Sequence, residues 1–474
     1  MTVDAREADQ NTIFGGPVRS TSIGMLILVT LIAFESMAVS AALPTAARDL
    51  HGLGSYGWAF TGFLVANIVG MVASGQISDR RGAGAPLAAG LSMFLVGLVL
   101  SGTAISMPLL VAGRVVQGLG SGLMITAVYV VIGQAYPERL RPPLFAAISS
   151  AWVLPALLGP IASGLLAQHA SWRLVFLGLV PFTVLGGVLM LPALRSLERP
   201  DVSRSRQLDL GRLGRAVAVA AGVAMLEAAG QHPSPVLLVL AAVGLAGIIW
   251  GLHRLLPAGT IVARPGVAAP VALRGLLAGA FFGVEAAVPL SLTVQHHYSA
   301  STAGLPLAAS GISWAIGSWW QGRGVADDGP RRRIALMRTG FGFVTLAAAG
   351  MAVTALPATP GWLAYPSWFV GGLGAGLTMS SVGVLLLRYT TDANRGVDSA
   401  ALQLADGTAS ALTTGVAGVL VAAAARGAIS NTTAFAGLDL LMCVLGAVGV
   451  LAAGRAHPAS AAQTAQPTPL RTSL

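Results

Sequence analysis

Five carboxylic acids interrupt long apolar stretches of this sequence. They are Glu35, Glu227, Glu285, Asp406 and Asp439. A charged side chain near the centre of a membrane helix costs about 2.5 to 3.5 kcal/mol on insertion scales, so each acid is a functional candidate. Carboxyl groups in such surroundings can exchange protons or hold a cation. The predicted chemistry is therefore the binding of protons or cationic ligands.

The composition explains why charge is costly here. Of the 474 residues, 55% are hydrophobic and 10% are charged, whereas soluble domains carry about 25% charged residues. Many stretches are nearly uncharged and long enough to cross a hydrocarbon core of roughly 30 Å as helices. The polar N-terminus lacks the pattern of a cleaved signal, so the first apolar stretch is expected to be a span. The sequence predicts an all-α, multi-pass protein in contact with the lipid bilayer.

The apolar stretches predict fourteen membrane helices, with twelve as the alternative. All 28 basic residues are arginine, and most of them lie in alternate loops if the N-terminus is cytoplasmic. Both termini are then cytoplasmic, and the protein is expected in the inner membrane. The use of arginine without lysine, together with 60 glycines, suggests a bacterial host with a high-GC genome. The expected order is a cytoplasmic tail (1–21), a six-helix bundle (22–194), a cytoplasmic linker (195–213), an inserted helix pair (214–256), a second six-helix bundle (257–455) and a flexible cytoplasmic tail (456–474).

Several function classes lack support in the sequence. The formal charge of +10 comes from scattered arginines and forms no basic stripe, so nucleic acid is not expected as a partner. No phosphate-binding loop of an ATPase occurs. Cys443 is the single cysteine, and the adjacent His296 and His297 lie in a predicted outer loop. We expect no metal, no cofactor and no catalytic residue set.

One segment of the sequence recurs. "QGLGSGLM" at 117–124 returns as "GGLGAGLT" at 371–378, and the same offset places Glu138 on Asp392 and Arg141 on Arg395. Glycine is common in this chain, so chance similarity is the alternative for the first match, and the second match favours duplication. Two related halves around a midplane site are typical of secondary transporters.

The segment "GQISDRRG" at 75–82 concentrates charge between the second and third spans. Gly75 permits close approach of backbones, Gly82 permits a turn, and Asp79 can accept hydrogen bonds from helix N-terminal amides or from arginine. An ordinary charged loop that fixes topology is the alternative interpretation.

Four segments of the sequence resemble motifs of the major facilitator superfamily, and they follow one another along the chain in the order of that family. The segment 75–82 resembles its G-x-x-x-D-R-x-G signature. "FESMAVSAALP" at 34–44 is similar to the first-helix pattern of its fourteen-helix drug:proton antiporters. "RVVQGLG" resembles the fourth-helix motif, with Arg114, Gln117, Gly118 and Gly120, and "LPALLGPIASG" resembles the fifth-helix antiporter motif, with Pro155, Gly159, Pro160 and Gly164.

This resemblance implies two six-helix bundles plus an inserted pair, and a latch formed by Asp79 and Arg80 that joins the halves in the outward-facing state. The sequence departs from the first-helix pattern, because Glu35, Met37 and Ser40 replace Asp, Thr and Asn. The loop motif also lacks its usual following basic residue. These departures affect what the resemblance implies about the substrate class and about the strength of the latch.

The resemblance and the cost of buried charge select the candidate site residues. Glu35 is the leading proton carrier, with a structural hydrogen-bonded acid as the alternative. Arg114 is expected to favour the ionised acid in one conformation and to withdraw in the other, or else to form a structural ion pair with a first-helix acid. Glu285 and Asp406 are expected to bind the proton or a cationic substrate, or to be structural.

Aromatic side chains complete the candidate site. Trp152, Trp314, Phe281 and Phe282 are expected to line a cavity for flat apolar ligands, or else to face lipid or core. Glu227 and Asp439 are expected to be structural acids.

The predicted function is proton-coupled efflux of lipophilic small molecules or drugs, cationic ones among them, by a monomer driven by the proton gradient. The alternatives are a dedicated exporter or importer of an endogenous metabolite or lipid and, from a different class, a non-transporting membrane receptor or an intramembrane enzyme. Scaffold motifs do not specify the ligand.

Overall fold

The computed structural model describes residues 12–51, 56–196, 209–231, 235–323 and 329–458, and within these ranges the regular structure is helical. Most of the predicted N-terminal tail, linker and C-terminal tail lie outside the described residues. The α-helices are α1 (Arg19–Asp49), α2 (Tyr56–Arg81), α3 (Gly84–Gly102), α4 (Met107–Ala135), α5 (Arg141–Ser150), α6 (Val153–His169), α7 (Arg173–Leu177), α8 (Val180–Ser196), α9 (Leu210–Gln231), α10 (Pro235–Leu255), α11 (Ala268–Glu285), α12 (Val288–His296), α13 (Ala300–Gly322), α14 (Pro330–Thr354), α15 (Ala364–Tyr389), α16 (Arg395–Ala425) and α17 (Asn431–Ala453).

Three apolar stretches that predict single spans are each divided into two helices. The breaks lie between α5 and α6, between α7 and α8, and between α11 and α12. Pro155, Pro181 and Pro289 stand in the first turn of the second helix in each case. Proline lacks an amide hydrogen and its ring clashes with the carbonyl four residues earlier, which ends the preceding helix.

The helices assemble into two halves that pack in equivalent ways. In the first half α4 packs against α2 and α3, and α1 packs against α6 and α8; in the second half α15 packs against α13 and α14, and α11 packs against α16 and α17. This packing agrees with the two helix bundles that the sequence predicts.

The repeated segment has the same packing role in both halves. A Cβ at Gly118 or Gly122 of α4 would collide with backbone carbonyls of α2, at Phe63 and Asn67. A Cβ at Gly372 or Gly376 of α15 would collide with backbone carbonyls of α13. In the following loops Arg141 pairs with Glu138, and Arg395 pairs with Asp392. The geometry supports the duplication predicted from the sequence.

The two halves meet at one end of the molecule, which we call the arginine-rich end because it carries Arg80, Arg141, Arg331, Arg395 and Arg455. There α2 packs against α16 and α5 packs against α13. Helices α9 and α10 pack on each other, and α9 also packs against α2 and α16.

Ten helices or helix pairs of the described chain are long and apolar enough to cross a membrane. The number of spans, fourteen or twelve, stays a prediction, as does the assignment of the arginine-rich end to the cytoplasm.

Candidate functional site

Glu35 and Arg114 form an ion pair inside the first half. Glu35 of α1 is fully buried and Arg114 of α4 is 2% exposed. The Arg114 side chain also donates to the Ala59 carbonyl at 3.1 Å, and its guanidinium lies over the Phe63 ring of α2, 4.3 Å from the centroid. Three helices therefore hold this pair.

The polar groups around this pair are incompletely matched. Arg114 donates at 3.3 Å to the Gln117 side-chain oxygen, while the Glu35 Oε2 atom and the Gln117 amide nitrogen are buried and have no hydrogen-bond partner among the described residues. A carboxylate oxygen without a partner is a site at which a proton can bind, because protonation removes the cost of leaving an ionised oxygen unsatisfied.

A second ion pair lies in the other half and was not predicted. Arg274 of α11 donates to both oxygens of Asp406 in α16, at 2.9 and 3.3 Å. The Arg274 side chain is 5% exposed and that of Asp406 is 21% exposed. Tyr129 of α4, in the first half, lies beside Arg274. Arg274 lies in a long apolar stretch, but the sequence gives no signal for its pairing with Asp406.

The other candidate acids lack such partners. Glu285 is half-buried at the end of α11, directly before the break at Pro289, and has no ion pair among the described residues. Asp439 of α17 is 4% exposed, and no arginine pairs with it in the described part of the chain. The side chain of Glu227 lies outside the described set.

Three of the four predicted aromatic residues come together in the second half. The Phe281 ring lies 5.4 Å from Phe282 and 5.1 Å from Trp314, and it stacks on Trp368 at 4.7 Å. Phe281 is 1% exposed and Trp368 is fully buried. Phe281 therefore packs the core instead of lining a cavity in this conformation, and Phe282 and Trp314 form the accessible edge of the cluster.

Trp152 lies apart from this cluster. It occupies the break between α5 and α6 and is 37% exposed. Its ring contacts none of the cluster rings among the described residues.

Asp79 joins the two halves at the arginine-rich end. Its carboxylate accepts hydrogen bonds from the backbone amides of Gly396 at 2.5 Å and Val397 at 2.9 Å, in the first turn of α16. An anion at a helix N-terminus satisfies free amide groups and interacts favourably with the helix dipole. Asp79 therefore caps a helix of the opposite half.

The other residues of the 75–82 segment differ in how they contribute to the contact between α2 and α16. A Cβ at Gly75 would lie 2.7 Å from the Ala400 side chain and from the Gly396 carbonyl, so glycine permits the close approach of α2 and α16. Gly82 has a φ of 80°, which suits a glycine turn. Arg80 is half-buried and makes no hydrogen bond or ion pair among the described residues. Of these two residues, Asp79 makes the polar contact with α16, and the role of this contact as a latch stays a prediction.

The α4 motif combines polar and packing roles. Gln117 contacts Arg114, Gly118 lies against α2, and Gly120 lies against α3, where an added Cβ would be 2.5 Å from the Phe94 nitrogen.

The fifth-span motif lies in α6. Pro155 follows the break and Gly159 is buried in the helix, whereas a Cβ at Gly164 would meet no atom within 4 Å. Pro160 is helical and its side chain lies outside the described set. Ser163 donates to the Ala38 carbonyl at 2.5 Å, so α6 packs closely on the helix that carries Glu35.

No group of three or more metal-ligating side chains occurs among the described residues. The absence of a metal and of a cofactor stays an expectation from the sequence.

Sequence relatives include two transporters named for efflux and one named for a biosynthesis cluster. The chain is 30% identical over 238 residues to the MFS efflux transporter aclA of Aspergillus oryzae, covering 49% of this chain and 43% of that protein. It is 32% identical over 239 residues to the Acurin A biosynthesis cluster MFS-type transporter of Aspergillus aculeatus, covering 48% and 43%. It is 26% identical over 186 residues to the multidrug efflux pump SdrM of Staphylococcus aureus, covering 39% and 42%. The chain spans less than half the length of these curated relatives.

Solved structures share the fold over nearly the whole chain. The human organic anion transporter MFSD10 matches with a TM-score of 0.63 at 15% identity, over 90% of this chain and 98% of that one. The proton:xylose symporter XylE matches with a TM-score of 0.64 at 16% identity, over 94% and 95%. Residues 25–414 match the family model described as Major Facilitator Superfamily, so this chain belongs to the major facilitator superfamily.

Proposed function

We propose that this protein is a proton-coupled exporter of lipophilic small molecules, neutral and cationic, that works by alternating access. The observation that carries this proposal is the buried Glu35–Arg114 pair, in which one carboxylate oxygen has no partner in the described part of the chain. Relatives named for efflux and multidrug resistance agree with it.

Proton binding would act through this pair. A proton from the outer side neutralises Glu35 and removes its attraction for Arg114, which keeps its contacts with the Ala59 carbonyl and the Phe63 ring. The changed charge balance favours a different helix arrangement, and proton release to the cytoplasm restores the pair. Each charge that moves across the membrane potential supplies about 2.3 kcal/mol per 100 mV.

The substrate would bind between the halves beside the aromatic cluster. Phe282 and Trp314 offer accessible ring surface next to Glu285. Glu285 has no cationic partner among the described residues, whereas Asp406 is already paired with Arg274. Glu285 is therefore the better candidate for pairing with a positively charged substrate.

The Asp79 contact would stabilise the state in which the cytoplasmic side is closed. Export then requires the Gly396 and Val397 amides to separate from Asp79, and substrate enters from the arginine-rich end. Helix capping across an interface of two rigid bodies gives two discrete states instead of a graded opening.

A dedicated exporter of an endogenous metabolite is the second candidate function. It is favoured by the relative named for the Acurin A biosynthesis cluster, and it would use the same proton-coupling residues.

The test is transport in proteoliposomes with an imposed pH gradient. We expect a fluorescent lipophilic cation to move with the gradient in the wild-type protein. Glu35→Gln should abolish the dependence on the gradient, and so should the double variant Glu35→Gln, Arg114→Gln, which leaves no buried charge unpaired and should retain substrate binding. Glu138→Gln, at an exposed carboxylate 3.9 Å from Arg141, is the matched control and should transport normally. Gradient-driven transport by Glu35→Gln at the wild-type rate would contradict the proposal.

A further inference from the structure

An apolar groove on the second half is unconnected with the proposed proton site. It encloses about 570 Å³ between α10, α11, α16 and α17. Its wall contains Leu252, Leu276, Ala409, Leu412, Leu445 and Val448. The groove begins at the arginine-rich end, where α10 ends and α11 begins, and extends toward the middle of the bundle.

The length of the groove matches one leaflet of a bilayer. Along α11 its wall runs from Val271 to Gly279, which is about 12 Å at 1.5 Å per residue. One leaflet contributes about half of the roughly 30 Å hydrocarbon core. The groove therefore has the length and the apolar lining that an acyl chain requires.

The mouth of the groove carries positive charge and exposed apolar side chains. Arg455 is exposed and is the charged residue among the described lining residues. It donates one hydrogen bond, at 2.7 Å, to the Val262 carbonyl, and its other donors can serve an anion. Ile261 beside it is 93% exposed and Leu451 is 77% exposed. Exposed apolar residues next to an arginine are typical of a contact with the membrane interface.

We propose that this groove binds one anionic phospholipid, with an acyl chain between α10 and α17 and the phosphate at Arg455. The shape of the groove selects a hydrocarbon chain, and Arg455 selects a negatively charged headgroup. Helix α10, one of the inserted pair, supplies the wall at Leu252, so this lipid site gives the inserted pair a binding role.

The test counts lipids bound to delipidated protein in detergent by native mass spectrometry. The probes are phosphatidylglycerol and phosphatidylcholine with the same acyl chains. We expect one phosphatidylglycerol per chain, bound about fivefold more tightly than phosphatidylcholine. Arg455→Gln should remove this preference, and Arg455→Lys should keep most of it.

A second variant tests the acyl-chain part of the groove. Val448→Trp fills the groove and should weaken binding of both lipids, whereas Val444→Trp, one turn away on the same helix and outside the lining, should not. Arg331→Gln is the control for charge, since Arg331 is exposed at the same end and away from the groove.

Three outcomes would overturn the proposal. One is equal retention of both lipids by the wild type and by Arg455→Gln. Another is a loss of preference in Arg331→Gln as large as in Arg455→Gln, which would mean general surface attraction. The third is a lipid-free dimer that Val448→Trp dissociates, which would assign the groove to a second copy of the chain.

Discussion

The Asp79 carboxylate accepts a hydrogen bond of 2.5 Å from the Gly396 amide, although 317 residues separate the two in the sequence. A second bond, from Val397, completes the cap of α16. These contacts join α2 of the first half to α16 of the second at the arginine-rich end. The Asp79 carboxylate therefore adds a helix cap to the packing of α2 on α16 and of α5 on α13 at this end.

Asp79→Asn should shift the molecule toward opening at the arginine-rich end. An amide oxygen can still accept a hydrogen bond, but the charge that strengthens the contact is lost. Hydrogen bonds to charged groups contribute about 1.5 to 3 kcal/mol, so the open population should rise about tenfold or more. Spin labels at exposed Arg139 and Ala393, in a Cys443→Ser background, measure the distance across this end.

Asp392→Asn is the matched control for this prediction. Asp392 carries the same charge, is 90% exposed and pairs with Arg395 within its own loop. Its substitution should leave the distance distribution unchanged. An unchanged distribution in Asp79→Asn would mean that Asp79 does not hold the closed end.

The local parts of the fold and site were predictable from the sequence because their signals are local. Long apolar stretches predict helices, and Gly75 and Gly82 lie where a close contact and a turn require glycine. Arg114 and Glu35 stand out because charge is rare in apolar stretches, and their ion pair is the alternative that the sequence offered for Arg114.

Contacts that depend on helix register were not predictable. Arg274 and Asp406 are 132 residues apart, and their pairing needs the relative positions of α11 and α16. The separation of Trp152 from the aromatic cluster and the burial of Phe281 likewise follow from packing that no single segment encodes. The breaks in three spans had a local cause in proline, but proline alone does not distinguish a bend from a break.

Arg114→Gln should destabilise the protein strongly at neutral pH. Removal of one partner leaves Glu35 buried without its cation, and the loss from breaking a buried pair is about 3 to 5 kcal/mol. Thermal unfolding in detergent measures the effect. The double variant Glu35→Gln, Arg114→Gln should recover much of the stability, because no buried charge remains.

Glu138→Gln is the control for this comparison, since the Glu138 side chain, which pairs with Arg141, is 67% exposed. Exposed pairs contribute about 0 to 1 kcal/mol, so its melting temperature should hardly change. If Arg114→Gln were as stable as this control, the buried pair would have no energetic importance.

Glu285→Gln should lower transport of cationic substrates about tenfold and leave neutral lipophilic substrates almost unaffected. Glu285 has no cationic partner among the described residues, so a cationic substrate can supply one. A hydrogen bond to a charged group contributes about 1.5 to 3 kcal/mol, which corresponds to an effect of about tenfold or more. Paired uptake assays with a cationic and a neutral dye measure the ratio.

Asp406→Asn is the comparison variant for Glu285→Gln. Asp406 is held by Arg274 at 2.9 Å, so its substitution frees a buried guanidinium and should reduce transport of both dyes. Equal losses of both dyes in Glu285→Gln would contradict the assignment of Glu285 to substrate charge.

Asp49, at the end of the molecule opposite the arginine-rich end, should make the stability of the fold depend on pH under acidic conditions. Hydrogen bonds from Trp172 and Arg173, each 3.0 Å long, lower the pKa of the Asp49 carboxyl below its usual value of 3.8. A carboxyl whose pKa is lower in the folded state stabilises that state above the unfolded pKa, and this contribution is lost as pH falls through the folded pKa. The melting temperature should therefore fall as the pH is lowered below about 4.

The Asp49→Asn variant separates this contribution from general acid denaturation. It should melt slightly below the wild type at neutral pH and show a smaller decrease on acidification, since its side chain does not titrate. Trp172→Phe removes the indole donor at 3.0 Å and should reduce the acid dependence in the same direction. Because Asp49 is exposed to solvent, both effects should be small and should weaken further in high salt. An acid dependence of Asp49→Asn equal to that of the wild type would show that other carboxyl groups account for it.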